Sequence, residues 1–512
     1  MSGIELEDEK MSQPLQPYAK SCRFVLEEKF GHTTDFCLEE ISQSGCLGII
    51  CYLKTMVDLD AIQEIAAMLQ VDGKGRQFGP LEEEAARAYG SRIFTTMSLQ
   101  YPATLREVMD HILNGYMVIC WDGLHEAIAV PVQGGEQRAV SEPTTQTVVK
   151  GPKDSFTESI VTNMSLVRRR IKSEHLRFES MTLGVDTRTS IELLYIEGIT
   201  NIRIVNEVRE RLGRIQTSSI LDSGSIEEFI TDSNLTPFPL LLSTERPDSI
   251  AGGLLEGRTA ILVDGTPFAL LAPVSIHDFF QTPEDYYLHF YIATFIRWIR
   301  YVAFLIALLL PALFVSVMTY HHELIPTNLL INLMAQREGV PFPTVVEAFL
   351  MELTFEVLRE AGIRMPRAIG QTVSIVGALV IGQAAVEAGI VSNAMVIIVS
   401  LTGICNYVSP SYSFASSARL LRFLLIILAS VLGLYGTLLG VVIIVAHLTG
   451  LRSIGVPYLS STAPWIMEDQ DDVFIRLPMF LNRKRPRLLM PQQVTKQSWP
   501  SKLLGRKGGG SN

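Results

Sequence analysis

The sequence predicts a duplicated α/β cytoplasmic domain in its first half and an all-α polytopic transmembrane domain in its second half. Three observations support this prediction. The mean hydropathy of the 512-residue chain is +0.27. Charged residues recur every few positions up to about residue 287, whereas long stretches between residues 301 and 451 carry none. Two hairpin patterns in the first half repeat one another. The apolar excess therefore lies in the second half.

These patterns also predict domain boundaries. We expect six segments: a disordered N-terminus at 1–19, α/β subdomain 1 at 20–135, a linker with a basic amphipathic helix at 136–175, α/β subdomain 2 at 176–285, a transmembrane domain at 286–455, and a cytoplasmic tail at 456–512.

Uncharged runs define the membrane spans. The first two cover residues 301–320 and 368–386. The next two cover residues 388–418 and 423–451, and the charged residues between them are Arg419 and Arg422. A spanning helix needs about 20 apolar residues, so we expect about four spans. The last run is long enough for one tilted helix or for two short helices with a break near Gly436.

Charge predicts the orientation. The acidic start MSGIELEDEK has no basic and apolar signal-peptide pattern. Arg297 and Arg300 precede the first span, and the basic residues of segment 483–487 follow the last. The positive-inside rule places both ends in the cytoplasm and requires an even number of spans.

The internal repeat has a constant offset. Residues 113–132 match residues 255–274, and glycines recur 142 positions apart as Gly115 with Gly257 and Gly123 with Gly265. Tyr52 and Tyr195 begin a second pair of matching segments, 143 positions apart. Two ordered matches at nearly one offset predict two related α/β subdomains, each closed by an Asp-Gly hairpin.

The soluble half carries no catalytic signature that we recognise. It lacks the phosphate-loop, nucleophile-elbow and zinc-protease patterns, and the six cysteines have no metal spacing, so we expect no catalytic residue, no metal and no cofactor. The net charge of −10 gives no reason to expect nucleic acid. We expect a basic amphipathic helix within residues 156–172. Its basic side chains face anionic lipid, an acidic partner or solvent; they are Arg168, Arg169, Arg170 and Lys172.

Five segments in order resemble a known family. They are GPKDSFTESIVTNMSLVRRRI, RPDSIAGGLLEGRTAILVDGTPFALLAPV, PEDYY, REAGIRMPRAIGQTVSIVGALVIGQAAVEAGIVSNAMVI and GVPYLS. Between about residues 151 and 464 the chain resembles the A subunits of bacterial spore germinant receptors of the GerA type.

The resemblance implies a non-enzymatic protein of the endospore inner membrane. Its partners would be a transporter-like B subunit and a lipoprotein C subunit, and it would form a homo-oligomer, a ligand-gated channel releasing monovalent cations at germination. A solitary paralogue that amplifies ion release without sensing nutrients is the alternative, because the first 150 residues match less distinctly. Neighbouring genes for B and C subunits would distinguish the two.

Residues 370–389 predict a helix with two different faces. One is a stripe of small residues suited to close helix packing: Gly370, Ser374, Ala378, Gly382, Ala385 and Gly389. The other would line a pore, with Glu387 as an acidic ring: Thr372, Val376, Leu379, Val380, Gln383 and Glu387. Alternatively, Glu387 lies at the membrane surface and Gln383 bonds a neighbouring helix.

A charged helix at 345–360 precedes it. We expect this helix to lie in the membrane interface, in contact with lipid, as a collar between subunits formed by Glu352, Glu356, Arg359 and Glu360. Two other function classes stay open: a secondary transporter, disfavoured because no repeat is found in the membrane half, and a scaffold anchored by its helices.

Overall fold

The fold comes from a computed structural model that describes residues 15, 19–43, 46–72, 97–134, 143, 146–364, 382–463, 465, 470, 472–482 and 484–496. These residues form two compact units. The N-terminal unit takes the described residues of Met1–Thr231, Leu241–Pro273 and Arg483–Asn512. The membrane unit takes those of Asp232–Leu240 and Val274–Asn482.

The first half of the N-terminal unit is a four-stranded antiparallel sheet in the order β1-β2-β3-β4. Helices cover both faces of the sheet because its strands carry apolar side chains on both sides. The elements are α1 (Ala19–Phe30), β1 (Phe36–Gln43), β2 (Cys46–Leu53), α2 (Leu59–Asp72), α3 (Leu105–Leu113), β3 (Tyr116–Trp121) and β4 (Ile128–Pro131).

The second half is a five-stranded antiparallel sheet in the order β5-β6-β8-β9-β7. Its elements are α4 (Ile160–Arg170), β5 (Leu176–Leu183), β6 (Thr189–Ile196), α5 (Ile202–Gly213), α6 (Ser223–Ile230), β7 (Leu242–Thr244), α7 (Pro247–Glu256), β8 (Thr259–Val263) and β9 (Ala269–Ala272). When β7 is left out, the strands β5, β6, β8 and β9 lie in the sheet in the order in which they occur along the chain, as β1 to β4 do in the first half.

The predicted repeat is visible in backbone and side chains. Gly115 and Gly257 have φ angles of 82° and 97° and each ends the helix before a hairpin, where a left-handed conformation favours glycine. The hydroxyl of Tyr52 donates to Glu39 at 3.0 Å, and that of Tyr195 donates to Glu179 at 2.6 Å, across equivalent strand pairs. The two subdomains therefore share one topology.

A buried ion pair joins the two subdomains. Arg168 on α4 binds Asp35, just before β1, with its Nε and Nη2 both 2.9 Å from carboxylate oxygens. Both side chains are fully buried. Hydroxyls of Thr33 and Thr55 donate to the same carboxylate at 2.7 and 3.1 Å, so its charge is well satisfied.

The expectation that Arg168 belongs to an exposed basic face is wrong. Helix periodicity placed it beside Arg169 and Arg170, but the sequence could not show that an acidic partner from 133 residues earlier covers it. Of the basic group, Lys172 is exposed, whereas Arg169 and Arg170 are half-buried.

The membrane unit is helical. Its helices are α8 (Glu284–Tyr287), α9 (Phe290–Tyr320), α10 (Thr327–Arg337), α11 (Thr344–Arg364), α12 (Gly382–Glu387), α13 (Asn393–Val408) and α14 (Tyr412–Gly450). Among the described residues, α9 and α14 are long and apolar enough to cross a membrane by length and composition, and α13 is a shorter apolar helix.

Helix α14 is broken at Gly433, where φ is 61° and ψ is −141°. We call residues 412–432 the first arm and residues 434–450 the second arm. A Cβ on Gly440 would sit 2.4 Å from the Leu425 side chain, although these residues would be about 22 Å apart in a straight helix. The arms therefore fold back as a hairpin, which is the second of the two arrangements left open by the sequence.

The chain enters and leaves the membrane helices on one side, which we call the near side. The Val274 amide donates to the Ser453 hydroxyl at 3.0 Å, and the Ile276 amide donates to the Tyr458 carbonyl at 2.9 Å. At the opposite end, the far side, the Tyr320 hydroxyl donates to the Ser430 carbonyl at 2.7 Å beside the hairpin turn. Helix α9 and the first arm therefore run in the same direction.

We predict that Arg168→Met destabilises the N-terminal unit by about 3–5 kcal/mol, because it leaves the Asp35 charge buried without its partner. Adding Asp35→Leu should restore most of the loss, since both charges are then absent. Chemical unfolding of the full chain in detergent, followed by tryptophan fluorescence, measures both changes. The control is Arg214→Met, which removes an exposed pair and should change stability little; equal losses in both single variants would contradict the prediction.

Candidate functional site: buried charges among the membrane helices

Arg422, in the middle of the first arm, is a buried cation among the membrane helices. Its Nη1 lies 2.6 Å from Glu352 Oε2 on α11, and both side chains are 1% exposed. A charge at this depth is costly in hydrocarbon, so ionisable groups inside membrane helices usually pair and mark functional positions. This pair ties α11 to the first arm.

A proline supplies the third partner of Arg422. Pro311 lies inside α9 and has no N–H, so the carbonyl four residues earlier, that of Ala307, lacks its helical donor. Arg422 Nε donates to this carbonyl at 2.7 Å. One guanidinium therefore connects three helices and satisfies a backbone acceptor that the sequence itself leaves open.

A second group of charges lies one turn nearer the near side. Glu356 on α11 pairs with Arg359 on the same helix and lies 3.4 Å from Arg419 on the first arm. Within the described residues, Glu352 Oε1, Glu356 Oε1, Arg359 Nε and Arg422 Nη2 are buried without a hydrogen-bond partner. The cluster carries one net positive charge from three arginines and two glutamates.

Another buried network holds the near end of α9. Asp285 is fully buried and accepts from Arg300 Nη1 at 2.8 Å, while Arg297 Nη2 lies 3.4 Å away. Arg297 also binds Asp472 at 3.0 Å. These two arginines, which the sequence shows only as basic residues before the first span, pair inside the protein with Asp285 and Asp472.

His277 sits next to this network. Its Nδ1 is 3.1 Å from the Tyr301 hydroxyl and its Nε2 is 2.5 Å from the Thr462 hydroxyl. Burial, with a smaller effect from Arg297, lowers the pKa of His277 to about 4 despite the opposing effect of Asp278. The imidazole is therefore neutral at physiological pH and fixes the chain before α9 to the segment after α14.

Residues 232–240 form a loop that belongs to the membrane unit although it lies between α6 and β7. Phe238 is 3% exposed and packs against Phe414 with ring centroids 6.1 Å apart. The Ser417 hydroxyl donates to the Pro237 carbonyl, and Thr236 lies 2.9 Å from His447. The loop thus contacts the near ends of both arms of α14.

The predicted two-faced helix is described only in part. Among its predicted residues, Thr372, Val376, Leu379, Val380, Gly370, Ser374 and Ala378 lie outside the described residues. Gln383 and Glu387 are exposed on α12 and bond to each other at 2.9 Å. Gly382, Ala385 and Gly389 are half-buried, so the two faces differ in burial where they are described.

The predicted collar residues divide between the interior and the surface. Glu352 is buried, Glu356 and Arg359 are half-buried, and Glu360 is exposed and paired with Arg364 at 2.7 Å. The structure therefore brings three of the four into the charge cluster around Arg419 and Arg422.

Comparison with known proteins gives the family. The family model described as Bacillus/Clostridium GerA spore germination protein matches residues 25–488. The chain belongs to the GerA spore germination protein family. The expectation from the sequence motifs is thereby confirmed, and the match includes residues 25–150, where the resemblance is least distinct.

Relatives in this family cover most of the chain. Spore germination protein KA of Bacillus subtilis is 50% identical over 391 residues, which is 76% of this chain and 72% of that protein. The membrane protein YfkQ of the same organism is 40% identical over 94% of this chain and 93% of its own length. The crystal structure of the N-terminal domain of the Bacillus megaterium GerK3 A subunit shares 35% identity, covers 51% of this chain and 96% of that domain, and has a TM-score of 0.40.

These comparisons establish a membrane-associated protein with a role in spore germination. The proteins named are germination and membrane proteins, which agrees with the expectation that the chain is not an enzyme. In the sequence, Arg419 and Arg422 stand out only as interruptions of an apolar run. A signal was present, since two arginines three positions apart in a spanning helix require acidic partners and α11 offers Glu352 and Glu356 at the matching spacing of four.

We predict that Arg422→Met lowers the free energy of unfolding by about 3–5 kcal/mol, because Glu352 and the Ala307 carbonyl lose their partner. Adding Pro311→Ala should recover about 1 kcal/mol, since an alanine N–H at position 311 can bond to that carbonyl. Chemical unfolding in detergent micelles measures the cycle. Pro311→Ala in the otherwise unchanged chain is the control; the same gain in both backgrounds would contradict the bond from Arg422 to Ala307.

A second prediction concerns pH. The pKa of His277 lies below the ordinary value of about 6.5, so the unfolded state takes up the proton first, and stability is lost as pH falls from about 6.5 towards 4. The loss attributable to His277 is at most about 3 kcal/mol. As pH is lowered across this range, the unfolding midpoint of the full chain should fall less steeply for His277→Asn than for the unchanged chain. His32→Asn, at an exposed position, is the matched control.

Proposed function

We propose that the chain is the A subunit of a nutrient germinant receptor in the inner membrane of the bacterial endospore. It acts there as a homo-oligomer that forms a ligand-gated channel for monovalent cations. A transporter-like B subunit and a lipoprotein C subunit are its proposed partners. Family membership supports this assignment, together with relatives named spore germination protein A1 and B1 at 41% and 38% identity.

The observation that supports the channel is the difference in solvent exposure between the two sides of α12. Gln383 and Glu387 are exposed in the single chain, while Gly382 and Ala385 on the other side are half-buried. A carboxylate and an amide on an exposed face of a membrane helix need protein or water beside them. Around an oligomer axis these side chains form a ring of negative charge, which attracts cations.

The near side is the proposed cytoplasmic side. Both the chain before α9 and the chain after α14 lie there, so the N-terminal unit and the C-terminal tail share one compartment in this proposal. The loop 232–240, which contacts both arms of α14, is a route through which a change in the soluble part can reach the membrane helices.

Native mass measurement in detergent tests the oligomer. A stable closed assembly of several copies is expected, because an axis is required for Glu387 side chains to form a ring. A chain that remains monomeric at all detergent and protein concentrations would remove the channel and favour an anchored scaffold.

Reconstituted conductance tests the pore. We predict that Glu387→Gln lowers the permeability ratio of potassium to chloride several-fold, because the ring loses its negative charge. Glu210→Gln, which removes a carboxylate from α5 in the N-terminal unit, is the matched control and should leave the ratio unchanged. An unchanged ratio in Glu387→Gln, in a protein that conducts, would place the pore elsewhere.

A further inference from the structure

Helix α11 has its polar and apolar sides reversed relative to a helix of a soluble protein. Glu347 and Glu352 are fully buried. The outward side is instead an aliphatic stripe with exposed fractions between 40% and 61%: Val346, Leu350, Leu353 and Val357. A soluble helix buries its apolar stripe and exposes its charges, so this arrangement indicates an apolar surrounding.

The inward charges of α11 all have partners. Glu352 and Glu356 meet the two arginines of the first arm, as described above. Glu347 accepts from the Ser392 amide at 2.6 Å, where Ser392 begins α13. Because each of these carboxylates has a partner inside the bundle, they do not prevent α11 from lying in hydrocarbon.

The contacts also fix the depth of α11. Glu352 faces Arg422 and Glu356 faces Arg419, so α11 runs antiparallel to the first arm. At 1.5 Å per residue, Thr344 lies about 12 Å beyond Glu352 towards the far side and Arg364 about 18 Å from it towards the near side. This length of about 30 Å equals that of the first arm and the hydrocarbon core of a bilayer.

Exposed tyrosines mark both boundaries of that layer. Tyr407 and Tyr412 are 70% and 61% exposed at the near ends of α13 and the first arm. Tyr320 and Tyr435 are 49% and 67% exposed at the far side. Amphipathic aromatic residues collect at the two membrane surfaces, and α11 extends from one level to the other.

We propose that α11 crosses the membrane, with its stripe Val346, Leu350, Leu353 and Val357 in contact with lipid acyl chains. The stripe has the same spacing as the exposed apolar residues of the first arm, Leu420, Leu424, Ile427 and Val431. It therefore presents the same surface to the same surrounding. This placement replaces the interfacial one expected from the sequence, and it does not depend on ion conduction.

The directions of the described membrane helices follow from the same contacts. Helix α9 and the first arm run from near to far, and the second arm and α11 run from far to near. Helix α13 also runs from far to near, because Ser392 lies at Glu347 and Gly403 lies against the Phe355 ring. The described residues therefore run across this layer five times, twice from near to far and three times from far to near.

Spin-label accessibility tests the lipid contact. Nitroxides are attached to single cysteines at Leu350, Leu353 or Val357 in a cysteine-free full chain reconstituted in phosphatidylglycerol and phosphatidylethanolamine nanodiscs. Collision with oxygen, which concentrates in hydrocarbon, should exceed collision with a water-soluble nickel chelate several-fold. Matched controls are Leu424 on the first arm for lipid and Leu235, 98% exposed in loop 232–240, for water.

Each outcome is decisive. Labels that behave like the one at Leu424 support the proposal. Labels that behave like the one at Leu235 place α11 in water or at the surface, and labels shielded from both reagents place a second copy of the chain on the stripe; either result overturns it. If the cysteine-free chain does not fold, quenching of Leu353→Trp by brominated phospholipid, compared with Leu235→Trp in the chain with its natural cysteines, gives the same answer.

Discussion

The structure depends on the requirement that a charge removed from water must meet an opposite charge. An ionised side chain buried alone costs several kcal/mol, whereas a paired one with further hydrogen bonds is tolerated. Arg422 shows this most clearly, since it holds Glu352 of one helix and a backbone carbonyl of another. Because Arg422 and its two partners lie on three helices, a single guanidinium ties these helices together.

The same rule organises the N-terminal unit and the start of α9. Arg168 and Asp35 are fully buried between the two α/β subdomains, and Asp285 receives Arg297 and Arg300 at the start of α9. Each pair joins segments that are separate in sequence or in fold. Apolar burial stabilises the individual cores without direction, while these pairs specify how segments are arranged, since a charged pair tolerates little displacement.

The proposed function depends on how these contacts connect the loop 232–240, α14 and α11. The loop 232–240 touches both arms of α14, and the first arm carries the arginines that hold α11. A displacement of the loop therefore acts on helices that are linked to each other by charge rather than by apolar contact alone. In the proposed receptor this connection joins the soluble part to the membrane helices, while α12 presents the carboxylate suited to a cation path.

The sequence by itself determined that the second half is the apolar one, that the first half is duplicated, and which family the chain belongs to, because hydropathy, a repeat offset of 142 residues and ordered motifs can all be read directly from the order of residues. It also allowed the break in the last apolar run, since a helix of that length exceeds the bilayer. It did not determine the partners of Arg168, Arg297 or Arg422, because each partner lies at a different separation along the chain. The direction of the charged face of α11 was likewise decided only by tertiary structure: helical periodicity shows that a charged face exists, and only the arginines packed against it show that it turns inward.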